Sequence, residues 1–271
     1  MGGILAVGAG SRSRPRMVIL DYRPGRKQKS SKNFKTAVLV GKGVTFDSGG
    51  INLKTASGLE DMKMDMAGAA VMGSVMIALA RAKVPGYAVG LIPATDNRLS
   101  GNAYVSGDVI TMYNGMTVEV INTDAEGRMI LADALSYAQK YKPGLVVDAA
   151  TLTGSAQRAI GKHGLVAMQA GAETDMQKLK RVGYITYERV AELPFWDEYA
   201  DMMKSDIADM KNTGPAEAGA ITAGKFLEKF TDYPFIHLDI AGVAFNKKRE
   251  SYRNQGGSGF GVRLLFNFVD E

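Results

Sequence analysis

Three charged side chains stand at alternate positions in the segment NTDAEGRM, just before an apolar stretch of helical character. They are Asp124, Glu126 and Arg128. In an extended chain, side chains two positions apart share a face, so the two acids can point at one site. Asp47 and Asp65 lie at the edges of other predicted elements. Four carboxylates brought together repel one another strongly unless cations neutralise them.

Two divalent ions would balance four carboxylates, and oxygen-rich clusters suit Mg²⁺, Mn²⁺ or Zn²⁺. Paired metal ions are a recurring device for activating water at peptide or phosphoester bonds. Spacing alone is therefore compatible with a two-metal hydrolase. A simpler interpretation stays open, because Thr123 to Glu126 matches a capping box at a helix start. Asp65 could compensate a helix dipole, and Asp47 could be a turn residue.

The acids have to be positioned by strands and helices that alternate along the chain. Short β-rich apolar runs bounded by Gly and Pro predict buried strands over 36–41, 87–94, 144–152 and 234–245. Helices are predicted over 59–83, 125–141, 175–191 and 219–230. Ser57 and Glu60 match a capping box at the first of these helices. The alternation favours a mostly parallel sheet covered by helices, with the site formed by loops that follow the strands.

Composition is typical of a soluble globular protein. The chain has 271 residues, of which 46% are hydrophobic and 23% charged, and we expect no apolar run to span a bilayer. Cysteine is absent, which excludes disulfides, cysteine nucleophiles and thiolate metal sites. The opening MGGILAVGAG lacks the features of a secretory signal, so the cytoplasm is the expected compartment.

The net charge of +5 comes from one segment of the chain. Residues 12–35 contain nine Lys or Arg residues and one acid, Asp21, and the remaining residues are net acidic. Such a segment could bind nucleic acid or an acidic partner, but a solvated loop is the more common case. No recognition motif accompanies it, so nucleic-acid binding is an alternative and not the expected function.

Several motifs together closely resemble the leucyl aminopeptidase (cytosol aminopeptidase) family of di-zinc exopeptidases. NTDAEGRM resembles the family's signature, and VGKGVTFDSGG, KMDMAGAA and DAATLTGS resemble its other blocks in the same order. The resemblance covers essentially the whole chain. It implies a zinc-exopeptidase-like, three-layer α/β/α fold with a central mixed, mostly parallel sheet, and two divalent ions, Zn²⁺ or Mn²⁺, at the edge of that sheet.

Carried over position by position, the resemblance implies a set of site residues. The metal ligands would be Lys42, Asp47, Asp65, Asp124 and Glu126, with Lys42 deprotonated. Lys54 would stabilise the oxyanion, and Arg128 would hold a bicarbonate ion that acts as general base. The pocket for the substrate's first side chain would be lined by Met62, Thr151, Leu152, Gly154, Ala241 and Ala244. Apolar first residues such as leucine would suit that pocket.

The resemblance also bears on assembly. Full-length members carry an additional N-terminal α/β domain and form hexamers, so residues 1–271 are expected to be a single catalytic domain of a homo-oligomer that acts on peptides. An inactive truncated remnant is one alternative. A serine hydrolase built on Ser48 is another, disfavoured because Phe46 stands where the nucleophile motif requires glycine. His237, inside an apolar strand, is interpreted as a core residue and not as a catalyst.

Overall fold

The computed structural model describes residues 1–24 and 36–271. The strands are β1 (Arg16–Tyr22), β2 (Ala37–Gly41), β3 (Gly43–Asp47), β4 (Ala88–Asn97), β5 (Val109–Thr111), β6 (Thr117–Glu119), β7 (Leu145–Ala150), β8 (Leu165–Ala170), β9 (Val190–Glu192), β10 (Met210–Lys211), β11 (Phe235–Asp239), β12 (Phe245–Asn246) and β13 (Gly256–Gly257). The α-helices are α1 (Gly2–Gly8), α2 (Ala56–Leu59), α3 (Ala67–Ala82), α4 (Glu126–Ala138), α5 (Gly154–Ile160), α6 (Glu173–Thr186), α7 (Glu198–Asp201), α8 (Gly219–Glu228) and α9 (Val262–Asp270). Short 3₁₀ turns cover Met62–Met64 and Gln139–Tyr141.

The main sheet is mixed and mostly parallel. Its strand order is β1-β4-β2-β7-β11-β8-β9, and β3 pairs with β4. Strands β4, β2, β7 and β11 run parallel to one another, whereas β1 and β8 are antiparallel to β4 and β11. Because parallel strands end at the same edge, the segments that follow β2, β3, β7 and β11 meet there.

Helices cover both faces of this sheet. Along β2, Val38 and Val40 pack into a core that includes α4, whereas Leu39 packs into a second core that includes α3, α6 and α9. This alternation follows from the two-residue period of a strand, which sends successive side chains to opposite faces. The predicted three-layer α/β/α architecture is confirmed.

Two predicted strands end at clearly different positions in the structure, and the helix predicted over 175–191 ends at Thr186. The strand predicted to end at residue 94 continues as β4 to Asn97, because its pairing with β3 extends to Asp47↔Asn97. The strand predicted over 234–245 ends as β11 at Asp239. There the Asp239 carboxylate accepts a hydrogen bond from Ala241 N at 3.1 Å, and this local contact turns the chain away from the sheet.

The helix predicted over 59–83 is divided into α2, a 3₁₀ turn and α3. The predicted capping residue was wrong, since Thr55, and not Ser57, accepts the hydrogen bond from Gly58 N. By length and composition the stretch Ala56–Ala82 could cross a membrane, which the sequence prediction did not anticipate. However, α3 packs against β2, β7 and α9. A core helix passes the same test, so the stretch is weak evidence for a membrane span.

Part of the basic segment is a strand where a loop was expected. Strand β1 pairs with β4 along its whole length, from Arg16↔Ala94 to Tyr22↔Ala88. The Arg23 guanidinium then lies 2.9 Å from Asp21 Oδ2, which neutralises the acid of this segment. Residues 25–35, which carry most of the remaining basic charge, lie outside the described residues.

Candidate metal centre

Acids and lysines converge at the edge of the sheet where its parallel strands end. Asp47 ends β3, and Asp65 follows the 3₁₀ turn before α3. Asp124 lies in the loop before α4, and Glu126 is the first residue of that helix. Ligand atoms of Asp47, Asp65 and Glu126 all lie within 4.8 Å of one another. Each of these three residues is at most 4% exposed. Such a cluster of buried carboxylates requires cations in or beside it.

The Lys42 ammonium group is one such cation. Its Nζ lies 2.7 Å from Asp65 Oδ2 and 2.8 Å from Glu126 Oε1, and it donates to the carbonyl oxygen of Thr151 at 3.0 Å. Burial lowers the pKa of Lys42, but the charges of Asp65, Glu126 and Asp47 outweigh burial and raise that pKa above its ordinary value. Lys42 therefore neutralises the inner acids of the cluster.

A second lysine joins the outer acids. Lys54 Nζ lies 2.8 Å from Asp47 Oδ2 and 2.5 Å from Asp124 Oδ1. The side chains of Lys54 and Asp124 are 19% and 31% exposed, so this pair faces the open side of the cleft. Burial lowers the pKa of Lys54, and the neighbouring carboxylates raise it by more, so the group stays an ammonium ion at neutral pH.

Burial and the charge of neighbouring carboxylates raise the pKa values of two acids in the cluster. Burial, followed by the charge of Asp47, raises the pKa of Glu126 to about 8. Burial also raises the pKa of Asp65 to about 6, although the charge of Lys42 opposes it. Glu126 Oε2 is buried without a hydrogen-bond partner among the described residues. The cluster thus has acceptor capacity and negative charge that two lysines do not satisfy.

The helix-capping interpretation of Glu126 is wrong. A capping box would join the Glu126 side chain to Thr123 N, but Thr123 N donates to Asn52 Oδ1 at 2.9 Å. Helix α4 begins after Ala125 without a side-chain cap. The Glu126 carboxylate instead turns towards Lys42, because burial in the cluster leaves it no solvent and the ammonium group is its nearest charge.

Arg128 lies one half-turn further along α4 and is 7% exposed. Its Nη1 donates to the carbonyl oxygen of Asn212 at 2.9 Å, and its Nε has no partner in the part of the chain that the structure describes. Burial lowers the pKa of Arg128 to about 10, against the charges of Glu126 and Asp239. A buried guanidinium group with an unused donor beside a cleft has the properties of an anion site.

The cleft beside these charges has a volume of about 390 Å³. Most residues predicted for the side-chain pocket line it: Met62, Thr151, Leu152, Gly154 and Ala241. Ala244 lies instead in the wall of a neighbouring apolar cavity. The reason is a tight turn after β11, in which Val243 N and Ala244 N both donate to the carbonyl oxygen of Ile240 and redirect the chain.

Sequence reasoning missed the polar groups that hold the acid-bearing loops together. The buried Thr123 donates through Oγ1 to the carbonyl oxygen of Gly49 at 2.6 Å, and its own carbonyl oxygen accepts from Tyr104 Oη at 2.8 Å. Asn212 Oδ1 accepts from Ile121 N at 2.8 Å and thereby anchors the segment before Asp124. Single Asn, Thr and Tyr residues in loops carry no spacing signal, since turns use the same residues.

His237 lies in the core, as the sequence predicted. It is fully buried, and its Nδ1 lies 2.8 Å from Asp148 Oδ2 on the adjacent strand. Burial lowers the pKa of His237, but the charge and hydrogen bond of Asp148 outweigh burial, so the pKa lies above its ordinary value. The imidazole therefore stabilises a buried acid between β7 and β11 and does not line the cleft.

Comparison with known proteins gives a consistent result. A sequence profile described as "Cytosol aminopeptidase family, catalytic domain" matches residues 1–266. Curated proteins named "Probable cytosol aminopeptidase" are similar over 99% of this chain, with 52% identity for the one from Chlorobaculum parvum and 50% for the one from Geobacter sulfurreducens. The chain spans 53% of the length of each of these two relatives. The match over nearly every residue, on a fold and a carboxylate cluster that agree with it, shows that the chain belongs to the cytosol aminopeptidase family.

Proposed function

We propose that the chain carries the active site of a metal-dependent aminopeptidase that removes the N-terminal residue from peptides. The observation that carries the proposal is the convergence of four acids and two lysines in one cleft, with three carboxylates inside 4.8 Å. Family membership supports the same conclusion, because relatives of the same family are named aminopeptidases.

The donor set fits two divalent ions such as Zn²⁺ or Mn²⁺. The unpartnered Glu126 Oε2 and the close carboxylates provide hard oxygen ligands. Asp47, Asp65, Asp124 and Glu126 would hold the ions, together with a deprotonated Lys42. Bound ions of this kind supply Lewis acidity and lower the pKa of a water molecule. An amine ligates a metal ion only without its proton, so binding through Lys42 would release the proton that the ammonium group carries beside Asp65 and Glu126.

Lys54 stabilises negative charge on the substrate. Its ammonium group is held at the mouth of the cleft by Asp47 and Asp124 and keeps its proton at neutral pH. From there it donates a hydrogen bond to the carbonyl oxygen of the bond to be cleaved, and this bond strengthens as that oxygen becomes an oxyanion.

Arg128 positions an anion. Its guanidinium plane is fixed by the hydrogen bond to the Asn212 carbonyl oxygen, which leaves Nε for a ligand. Bicarbonate is the expected ligand, and its basic oxygen would accept a proton from the attacking water molecule. His237 does not compete for this role, because it lies in the core and not among the residues that line the cleft.

The substrate's first side chain would lie against Met62, Leu152 and Ala241, and the free α-amine would bind near Asp65. Apolar and small walls favour residues such as leucine over charged ones. We further propose that the protein works in the cytoplasm as a homo-oligomer, a hexamer as in other members of the family.

Release of leucine from a leucyl anilide tests the proposal. We expect hydrolysis that depends on added Mn²⁺ or Zn²⁺ and is lost in Asp124→Asn, because this variant removes a ligand charge while it keeps the size of the side chain. Activity that is indifferent to both metal and Asp124 would refute the assignment. Ser48→Ala separates it from a serine hydrolase, since Ser48 Oγ donates to the carbonyl oxygen of Asn97 at 2.8 Å and is engaged in the loop.

A further inference from the structure

The end of β4 carries a buried amide that contacts both acid-bearing loops. Asn97 is 1% exposed. Its Nδ2 donates to Asp47 Oδ1 at 2.9 Å and to the carbonyl oxygen of Thr123 at 3.0 Å. The backbone carbonyl oxygen of Asn97 accepts a hydrogen bond from Ser48 N at 3.0 Å. One residue on the sheet therefore touches the segment with Asp47 and the segment that leads to Asp124.

The orientation of this amide is determined by its neighbours. Both groups near Nδ2 are oxygen acceptors, so a flipped amide would bring Asn97 Oδ1 against two oxygens. The Oδ1 atom has no hydrogen-bond partner among residues 1–24 and 36–271. A buried acceptor without a partner lowers folding stability. This unfavourable acceptor occurs in a side chain whose NH₂ group donates to Asp47, a carboxylate of the candidate metal site.

Asn97 helps to fix the orientation of the Asp47 carboxylate, in which one oxygen faces the cleft. Oδ1 of Asp47 accepts from Asn97 Nδ2 and also from Gly49 N at 2.9 Å. With Oδ1 engaged twice, Oδ2 points the other way, where Lys54 Nζ lies at 2.8 Å. Rotation of the carboxylate would break both bonds to Oδ1, so the side chain is held in one rotamer.

The two loops are also joined without Asn97. Thr123 Oγ1 donates to the carbonyl oxygen of Gly49 at 2.6 Å, and Asn52 N donates to Thr123 Oγ1 at 3.0 Å. These contacts hold the loops together but touch no carboxylate of the cluster. Asn97 therefore differs from these contacts in that it orients Asp47, together with the backbone amide of Gly49.

From these contacts we infer that Asn97 is a positioning residue, whose amide presents Asp47 Oδ2 to the metal ions and fixes its place relative to Asp124. The inference rests on the proposed function, since it assigns a role towards the same ions. Partners that orient metal ligands in this way affect metal affinity or activity by about 10–100-fold when they are replaced.

Two variants test the role of the amide. Asn97→Leu removes both donors at similar volume, and Asn97→Asp keeps the shape but turns an acceptor towards Asp47. Affinity for Mn²⁺ or Zn²⁺ alone is measured by calorimetry on protein first stripped with a chelator, and folding is checked by circular dichroism. We expect both variants to bind metal about 10–100-fold more weakly. At saturating Mn²⁺, kcat should remain at least tenfold lower while KM changes less.

Tyr104→Phe is the matched control, because it removes a different hydrogen bond to the same carbonyl oxygen of Thr123. We expect this variant to keep its metal affinity within about threefold. Wild-type affinity in both Asn97 variants, or an equal loss in Tyr104→Phe, would overturn the inference while leaving the proposed function intact. A wild-type protein that takes up no metal would overturn both together.

Discussion

The two lysines of the cleft lie in different environments. Lys42 is 3% exposed and lies among the inner acids, whereas the Lys54 side chain is 19% exposed and faces the opening. The inner lysine contacts the acids of the cluster and is shielded from a substrate. Lys54, the outer lysine, can reach a substrate. The effects of replacing the two lysines can therefore be distinguished by experiment.

Lys54→Met should lower kcat by about 10²–10³-fold, the range found when one donor to an oxyanion is removed. The reason is that methionine fills the same space but cannot donate a hydrogen bond or carry charge. Steady-state kinetics on a leucyl anilide measures the effect, and elemental analysis checks that the variant still contains metal. Lys63→Met, at an exposed position nearby, is the control. A kcat near the wild-type value in Lys54→Met would contradict the role.

The sequence predicts the charged residues of the site better than the groups that hold them. Asp124, Glu126 and Arg128 stand at a spacing that suggests one face, and the family resemblance adds the lysines. By contrast, Asn97 lies beyond the predicted strand 87–94, and only the extension of β4 to its last pair with β3 brings it to Asp47. Contacts of this kind depend on residues about 50 positions apart, for which a local pattern contains no information.

At the scale of single elements, the start of helix α9 is stabilised by a residue that is distant in sequence. Helix α9 starts after Gly261, which has no capping side chain. The buried Glu188 supplies the cap, since its Oε2 accepts from Gly261 N and Leu264 N at 2.9 Å each. Its Oε1 accepts from Arg263 Nε at 3.1 Å. A sequence pattern that searches for a cap next to the helix cannot find one that lies in another element.

Glu188→Ala should lower the free energy of unfolding by about 3 kcal/mol, because a helix cap contributes about 1–2 kcal/mol and unpaired buried donors add to the cost. Glu188→Gln keeps an acceptor and should cost less than the alanine variant. Urea denaturation followed by circular dichroism gives the values. The exposed Glu217→Ala should stay within about 0.5 kcal/mol of wild type. If both alanine variants behave alike, the capping role of Glu188 is wrong.

The α/β/α order was predictable from the alternation of apolar runs, whereas several bounds were not. Helix 59–83 was predicted as one element because residues after Met66 are apolar or small on every face. The structure divides it at Asp65, whose carboxylate accepts from Thr151 Oγ1 at 2.8 Å in the cluster. Tertiary contacts of a buried charge thus override the local helical preference.

The fold of the whole molecule brings segments that are distant in sequence into one cleft. The carboxylates of these segments repel one another there. Two lysines carry part of the compensating charge. Divalent ions that bind the folded chain and not the unfolded chain would add stability, because binding shifts the folding equilibrium.

Metal removal should therefore lower both activity and thermal stability. At a metal concentration 100 times the dissociation constant, the added stability would be about 2.7 kcal/mol. Differential scanning calorimetry of chelated and Mn²⁺-loaded protein measures the difference, and Asp47→Asn should reduce it, since one ligand charge is missing. The assignment would be in difficulty if both forms of the wild type unfolded at the same temperature.

Gly127 has a consequence for how this sequence can vary. A methyl group there would approach Lys42 Nζ to 2.7 Å and Lys42 Cε to 2.6 Å, and Lys42 has no room to yield because Asp65, Glu126 and the Thr151 carbonyl oxygen hold it. A residue that has no functional group of its own is thus required by the packing around Lys42. We expect Gly127→Ala to displace the Lys42 ammonium group from the cluster and so to lower activity, although the variant retains every acid and every base of the wild type.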